Sequence, residues 1–284
     1  MIVITGATGN VGRNLVAGLA AEGLAVRALT RDPATARVPA GAEAVRFDWS
    51  RPETFAAAVA GATAVFVNAG AVGGSAGEFL TAAKNGGARR AVMLSSLAVR
   101  DGDQVYSIGT QHKNLEGAIK ASGLDWTFLR CGGFATNTLA WAPMIRAEGV
   151  VRTPYGKAAT ALLAERDIAA AAARVLADDS HDGATYVLTG QESLTQIEQA
   201  DAIGAAIGRR LRFEELPAEV FRQAAVQHLP AAAVDDLLRY YAGFVGRTAE
   251  MAPDLVGLIG RPATTFAEWG GGRGAAEPAV TRAG

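Results

Sequence analysis

Three features of the 284-residue chain predict an α/β fold, a doubly wound parallel sheet of Rossmann type with a smaller C-terminal α/β lobe. Short β-rich apolar runs alternate with helical stretches through the first half, the pattern of βαβ units. The runs are mostly apolar on both faces, as a sheet covered on both sides by helices requires. The opening MIVITGATGNVGRNLVAGLA reads as a strand, a glycine-spaced turn and an amphipathic helix in direct succession.

The elements follow in order. IVIT (2–5), LAVRAL (24–29), EAVR (43–46), TAVFVN (63–68), RAVMLS (90–95) and DWTFLR (125–130) are expected as strands. Helical spacing fills 10–22, 52–60, 75–86 and 107–121 between them. Crossovers of this kind are right-handed. Beyond residue 130 the rhythm loosens. Helices are expected at 166–178, 195–207, 217–227 and 231–245, and a strand at 184–189. The stretch GGGRGAAEPAVTRAG, 270–284, has glycine and proline without periodicity and is expected to be mobile.

Composition narrows the partners. Half the residues are apolar, 19% are charged and the net charge is −1, which gives no footing for a nucleic-acid or membrane-surface partner. No apolar run approaches the roughly 20 residues of a membrane helix. The start lacks the basic, apolar and cleavage regions of a secretory leader, so a cytoplasmic location is expected. Cys131 is the single cysteine and the three histidines, His112, His181 and His228, are scattered, so no metal is expected.

The glycines Gly6, Gly9 and Gly12 stand where strand becomes helix. In that context the first permits a tight turn, the second lets the backbone approach a pyrophosphate, and the third lets the helix pack close to the sheet. The main chain of Gly6, Thr8, Gly9, Asn10, Val11 and Gly12 then offers its N–H groups and the positive helix end to phosphates. A βα turn that merely needs small residues is the plainer alternative. The second strand ends in Thr30-Arg31-Asp32, near the place where an acid usually meets a free ribose hydroxyl. A guanidinium at Arg31 suits a 2′-phosphate, so NADPH is favoured over NADH. Asp48 is expected beside the adenine, and Asn68, Ala69 and Gly70 beside the pyrophosphate and nicotinamide ribose. Each also suits a cap or a turn. On this reading 1–130 is a dinucleotide-binding domain. Residues 131–269 form a substrate lobe with elements returning to the core.

GATGNVGR, TRDP, FDWS, QHKNLEGAIKASGLDWTFLR, ERDIAAAAARVL and YVLTGQESLT together resemble the NmrA-like branch of the atypical short-chain dehydrogenase/reductases. The resemblance runs from residue 1 to about 268. It implies a Rossmann domain, a small C-terminal lobe and bound NAD(P)(H). Its members include quinone, triphenylmethane-dye and benzylic-ether reductases, and also non-catalytic proteins that sense nicotinamide redox state. Conventional reductases of the superfamily use Ser, Tyr and Lys. With Glu116 as the helical glutamate of the pattern, His112 falls in the lysine slot, Ile108 in the tyrosine slot and Leu97 near the serine slot. Tyr106, Ser95 and Ser96 stand nearby as substitutes, and Lys113 as a cofactor contact.

The missing trio has a chemical consequence. Reducing a simple ketone creates an alkoxide that needs a positioned acid. Reducing a quinone or conjugated enone leaves a delocalised anion, closer to a phenolate of pKa about 10. The sequence therefore points to an NADPH-dependent reductase of a small aromatic or conjugated carbonyl compound, monomeric or homodimeric. His112 orients the acceptor in this reading. The alternative is a non-catalytic NADP(H) sensor that controls a protein partner. A nicotinamide-dependent epimerase ranks last for want of an acid/base pair. In the loop after the sixth strand, Phe134 is expected against the nicotinamide and Cys131 as a small buried filler. Trp141, Met144 and Tyr155 are expected to line an apolar pocket or pack in the core. Asp167 is expected to complement a helix dipole.

Overall fold

The computed structural model describes residues 1–71, 74–100 and 107–272. Strands run Ile2–Ile4 (β1), Val26–Thr30 (β2), Ala42–Arg46 (β3), Ala64–Asn68 (β4), Arg90–Ser96 (β5), Asp125–Cys131 (β6), Val150–Thr153 (β7), Ala159–Thr160 (β8), Thr185–Leu188 (β9), Leu194–Thr195 (β10) and Arg212–Glu215 (β11). Helices run Asn10–Ala21 (α1), Phe55–Val59 (α2), Ala76–Asn85 (α3), Ser107–Ala121 (α4), Ala142–Glu148 (α5), Glu165–Ala177 (α6), Gln196–Ala206 (α7), Ala218–Ala225 (α8), Ala231–Phe244 (α9), Asp254–Ile259 (α10) and Phe266–Gly270 (α11).

The chain forms two compact units. The first comprises 1–131, 165–188 and 254–261. Its sheet has seven strands in the order β3-β2-β1-β4-β5-β6-β9, every pair parallel. The α/β expectation is met, and the reason lies in strand alternation. Val3, Val65, Val67, Ala91, Met93 and Phe128 face one side, where Phe55, Val59, Phe79, Leu80, Leu115 and Ile119 from α2, α3 and α4 cover them. On the opposite side α1 and α6 pack together and against β2, β5 and β6. Helix α1 buries Val11, Gly12, Leu15, Val16 and Leu19, the stripe its apolar spacing sets out. The aromatic rings of Phe47, Trp49, Phe55 and Phe79 close one end of the first layer, with centroids 4.8 to 5.9 Å apart. Asp167, fully buried near the start of α6, is paired with Arg261 at 2.6 Å (Oδ1 to Nη2), which ties α6 to the second residue past α10. Strand β9 is a sheet edge, and its Val187 N–H donates to Oδ2 of Asp254 at 2.8 Å.

The second unit comprises 132–164, 189–253 and 262–284, of which 262–272 are described in the last stretch. Two small sheets, β7 with β11 in parallel and β8 with β10 antiparallel, were not anticipated from the sequence. Strands of two to four residues are too short to carry a period. The core gathers Ala135, Trp141, Ile145, Val151, Ile203, Leu211 and Phe266, so Trp141 is a packing residue of this unit. Met144 is partly buried against the same cluster, and its sulfur accepts the Arg152 N–H at 3.1 Å. A capping box starts α7: the Thr195 hydroxyl accepts the Glu198 N–H at 3.2 Å and the Glu198 carboxylate accepts the Thr195 N–H at 2.8 Å. The expected helix at 52–60 divides into a 3-10 turn at Pro52–Thr54 and the shorter α2. Of the stretch 270–284, residues 273–284 lie outside the described residues, and Gly270 closes α11.

Candidate functional site

In the seven-stranded sheet β1 lies between β2 and β4, so the chain leaves β1 towards one edge and later returns to build outward on the other side. Ligands of open parallel sheets bind beyond the carboxyl ends of the strands at such a point. The glycine turn is found there. Gly6 has φ +64°, and its N–H···O partner across the turn is Gly9, which donates to the Gly6 carbonyl at 3.0 Å. A Cβ on Gly12 would collide with the Gly6 carbonyl oxygen and stand 2.9 Å from Cα of Ala7. The third glycine is therefore demanded by the approach of α1 to the turn. Gly9 is the N-cap of α1, no side chain caps it, and no acid stands in the first turn. The positive end of the helix dipole thus has neither a side-chain cap nor a first-turn acid, and Thr8, Gly9 and Asn10 are exposed around it. Val11 is buried and serves the core as well.

A hydroxyl stitches the neighbouring strand end to this turn. Thr5 Oγ1 donates to the Phe66 carbonyl at 3.0 Å and accepts the Asn68 N–H at 2.9 Å, joining the ends of β1 and β4. The Asn68 carboxamide packs against Gly6, where an added Cβ would meet Nδ2 at 2.8 Å. Its Oδ1 accepts the Gly70 N–H at 3.0 Å, which fixes the Asn68-Ala69-Gly70 turn. Ala69 is buried beneath it. Thr5 was not singled out in the sequence, because a threonine ending an apolar run reads as an ordinary strand residue.

Arg31 and Asp32 part company in the fold. Both Asp32 oxygens are held within their own turn, Oδ1 by the Ala34 N–H at 3.1 Å and Oδ2 by the Thr35 hydroxyl at 2.9 Å. Arg31 is exposed just past β2, and among the described residues no ion pair engages its guanidinium. Asp48 is exposed past β3, with Oδ1 accepting the Ser50 N–H at 2.9 Å and the Ser50 hydroxyl at 2.7 Å. Those hydrogen bonds, the backbone one foremost, hold its carboxyl below the usual carboxylate range.

The second cluster lies where β5, β6 and α4 meet. Helix α4 buries Gly109, His112, Leu115, Glu116 and Ile119, one continuous stripe. A Cβ on Gly109 would come within 2.7 Å of the Ala98 carbonyl oxygen, so the helix lies tight against the 3-10 turn Leu97–Val99. His112 is 9% exposed, and its Nδ1 is 2.7 Å from the Ile108 carbonyl oxygen. A carbonyl only accepts, so Nδ1 carries a proton and the neutral ring presents Nε2 as a lone pair. Burial lowers the proton affinity of the ring, opposed by the Ile108 bond and the charge of Glu116. The neutral imidazole therefore receives a hydrogen bond at Nε2 and donates one there only once protonated. The sequence left that point open.

Ser95 and Ser96 follow different partners. Ser95, 3% exposed, donates its hydroxyl hydrogen to Glu116 Oε1 at 2.6 Å. Ser96 Oγ accepts the Ala98 N–H at 3.2 Å and caps the 3-10 turn. Arg130, opposite Ser95 in the β5–β6 register, grips Glu116 with a fork: Nε to Oε1 at 2.9 Å and Nη2 to Oε2 at 2.7 Å. Burial opposes ionisation of Glu116, yet the bonds from Arg130 and Ser95 hold it below the usual carboxylate range. The sequence places Arg130 as the last residue of the sixth strand, and a lone arginine at a strand end gives no sign of its partner. Lys113 is exposed one residue beyond His112. Tyr106 lies outside the described residues.

Cys131 ends β6 buried, and burial pushes its thiol well above the ordinary range, which disfavours the thiolate. Phe134, half-buried, belongs to the second unit, where it precedes a 3-10 helix and bridges to Leu163. Tyr155, also half-buried in that unit, has φ +60°, and Gln196 Nε2 donates to its carbonyl at 3.0 Å. Among the described residues no group of three or more His, Cys, Asp or Glu is gathered as metal ligands would be, and no helix is long and apolar enough to cross a membrane.

Known proteins match this arrangement along nearly the whole chain. An NAD(P)H-binding family model covers residues 6–179. A (4-alkanoyl-5-oxo-2,5-dihydrofuran-3-yl)methyl phosphate reductase of Streptomyces griseus is 37% identical over 272 residues, 95% of this chain and 96% of that protein. An NAD(P)H azoreductase of Xenophilus azovorans is 32% identical, over 95% of this chain and 96% of its own. The crystal structure of an NADPH-dependent quinone oxidoreductase from Escherichia coli complexed with NADPH superposes with a TM-score of 0.80 at 28% identity, covering 94% of this chain and 98% of that one. The chain belongs to the NAD(P)H-binding family and is an NAD(P)H-dependent oxidoreductase.

Proposed function

We propose that this oxidoreductase uses NADPH to reduce a quinone-like or conjugated carbonyl acceptor. The observation that carries the reading is the state of the polar groups around α4: Nδ1–H of His112 is bound to Ile108, and the Ser95 hydroxyl is bound to Glu116. Among the described residues the acid that the cluster can offer a nascent alkoxide is the His112 ring protonated at Nε2, a form that burial disfavours. An acceptor whose reduced form is a stabilised anion makes the smallest demand on such a site.

Bound NADPH supplies the hydride. The residues of the chain hold it and receive the acceptor. The main-chain amides of Asn10, Val11 and Gly12 at the start of α1 suit the diphosphate, and Gly12 keeps that end close to the turn. Arg31, which no carboxylate pairs among the described residues, suits a 2′-phosphate, while Asp32 already accepts two bonds from its own turn. Asp48 would border the adenine, and the Asn68–Gly70 turn the pyrophosphate and nicotinamide ribose, with Lys113 as a further cofactor contact. Because Nδ1 of His112 already holds a proton, a second proton goes to Nε2. The imidazolium then donates from Nε2 to the acceptor oxygen as negative charge gathers there.

The relatives support the acceptor class. The Streptomyces griseus protein is named for a furanone whose ring double bond is conjugated with both a ring carbonyl and an alkanoyl carbonyl. An Escherichia coli relative, 29% identical, is named a quinone oxidoreductase. The test is NADPH consumption with naphthoquinones, acyl-substituted furanones and isolated ketones. Turnover of the first two classes and not the third is expected. Tight NADPH binding with no turnover of any conjugated acceptor would overturn the reading.

A further inference from the structure

We propose that Glu116 is a positioning residue for His112: its carboxylate, clamped by the Arg130 fork and the Ser95 hydroxyl, is set one turn along the same buried face of α4 as the imidazole. The inference rests on the role given to His112 above and deepens it.

The geometry is built for a fixed charge. Glu116 is 4% exposed and receives three hydrogen bonds of 2.6 to 2.9 Å from two strands, β5 and β6. A fork of parallel N–H···O bonds fixes the plane of the carboxylate as well as its place. Three donors all aimed at the ionised form keep it ionised. His112 and Glu116, four residues apart on a helix, are neighbours on one face. An enclosed imidazole without such a neighbour resists protonation, because burial disfavours the charged ring. A fixed anion one turn away restores the tendency to take up a proton. The chain thereby keeps Nε2 of a buried histidine able to become a donor.

Other charges on elements packed against α4 do not serve. On β5, Arg90 is paired with Asp182; on β6, Asp125 stands at the far end of the strand from Arg130. Glu78 and Lys84 are on α3, and the Lys84 ammonium donates to the Ser122 carbonyl at 3.1 Å. Arg130 is neutralised by Glu116 itself. Among the described residues, Glu116 is the charge that acts on the His112 ring.

The proposal is tested by NMR titration of histidine-labelled protein, with the His112 signal assigned by its loss in H112N. Removing the anion in Glu116→Gln keeps an acceptor for Ser95 and is expected to lower the His112 midpoint by roughly half a pH unit or more. Removing the cation in Arg130→Gln leaves the carboxylate uncompensated and is expected to raise that midpoint. A scaffold role alone predicts no shift, or shifts of one sign. Midpoints within about 0.2 units of wild type in both variants would overturn the proposal, as would shifts of the same sign. Should Glu116→Gln fail to fold, Arg130→Gln decides: a midpoint that stays or falls overturns it. NADPH titration of the same samples is read separately. Loss of cofactor binding would count against the reductase reading, and the His112 midpoints would still judge Glu116.

Discussion

At the scale of the residue, the glycines differ in what they permit. Gly12 has no room for a Cβ, because backbone atoms of Gly6 and Ala7 occupy the space, and backbone cannot turn aside as a side chain can. Gly9 has its nearest obstacle at 3.2 Å. Gly12→Ala is expected to destabilise the protein by about 1–3 kcal/mol, the usual range for overpacking, and to weaken NADPH binding. Gly9→Ala is expected to cost clearly less stability. Urea melts and calorimetric titration of both variants check the order. A Gly12→Ala protein as stable as Gly9→Ala would mean that α1 is not held by its approach to the turn.

At the scale of the element, α7 offers a clean measurement. Its N-terminus, in the second unit, is closed by the reciprocal Thr195–Glu198 bonds. Thr195→Ala is expected to cost about 0.5–2 kcal/mol while leaving NADPH affinity unchanged. Chemical denaturation with a binding titration on the same sample checks both halves. Helices with this kind of grammar were legible in the sequence: α1, α3, α4, α6, α7, α8 and α9 begin and end within one or two residues of the expected spans. The strands of the large sheet were legible too, most clearly β1, β4 and β5, whose apolar runs are covered on both faces. The short strands β7, β8, β10 and β11 were not, because they exist through pairing partners distant in sequence. The site divides in the same way. The glycine turn is local and could be read directly. The Ser95–Glu116–Arg130 cluster joins three elements, and only the parallel register that sets Ser95 beside Arg130 reveals it.

At the scale of the whole molecule, cofactor and stability are linked. A ligand that binds only the folded chain stabilises it by about 2.7 kcal/mol at a hundred times its dissociation constant. NADPH is therefore expected to raise the unfolding temperature well above that of the free protein, and NADH to raise it less at equal concentration. In Arg31→Gln the NADPH advantage should shrink by about 1.4 kcal/mol, a tenfold loss of affinity, with the NADH effect unchanged. Thermal unfolding in the presence of each nucleotide checks this. Equal losses for both would remove Arg31 from the discrimination.

The outermost strand of the large sheet carries its own safeguard. Because a carboxylate on the segment that returns from the second unit already occupies the main-chain hydrogen of Val187, that border is denied to a passing strand from another molecule. A crowded solution of this protein is thereby guarded at that border against growing fibrils by edgewise recruitment.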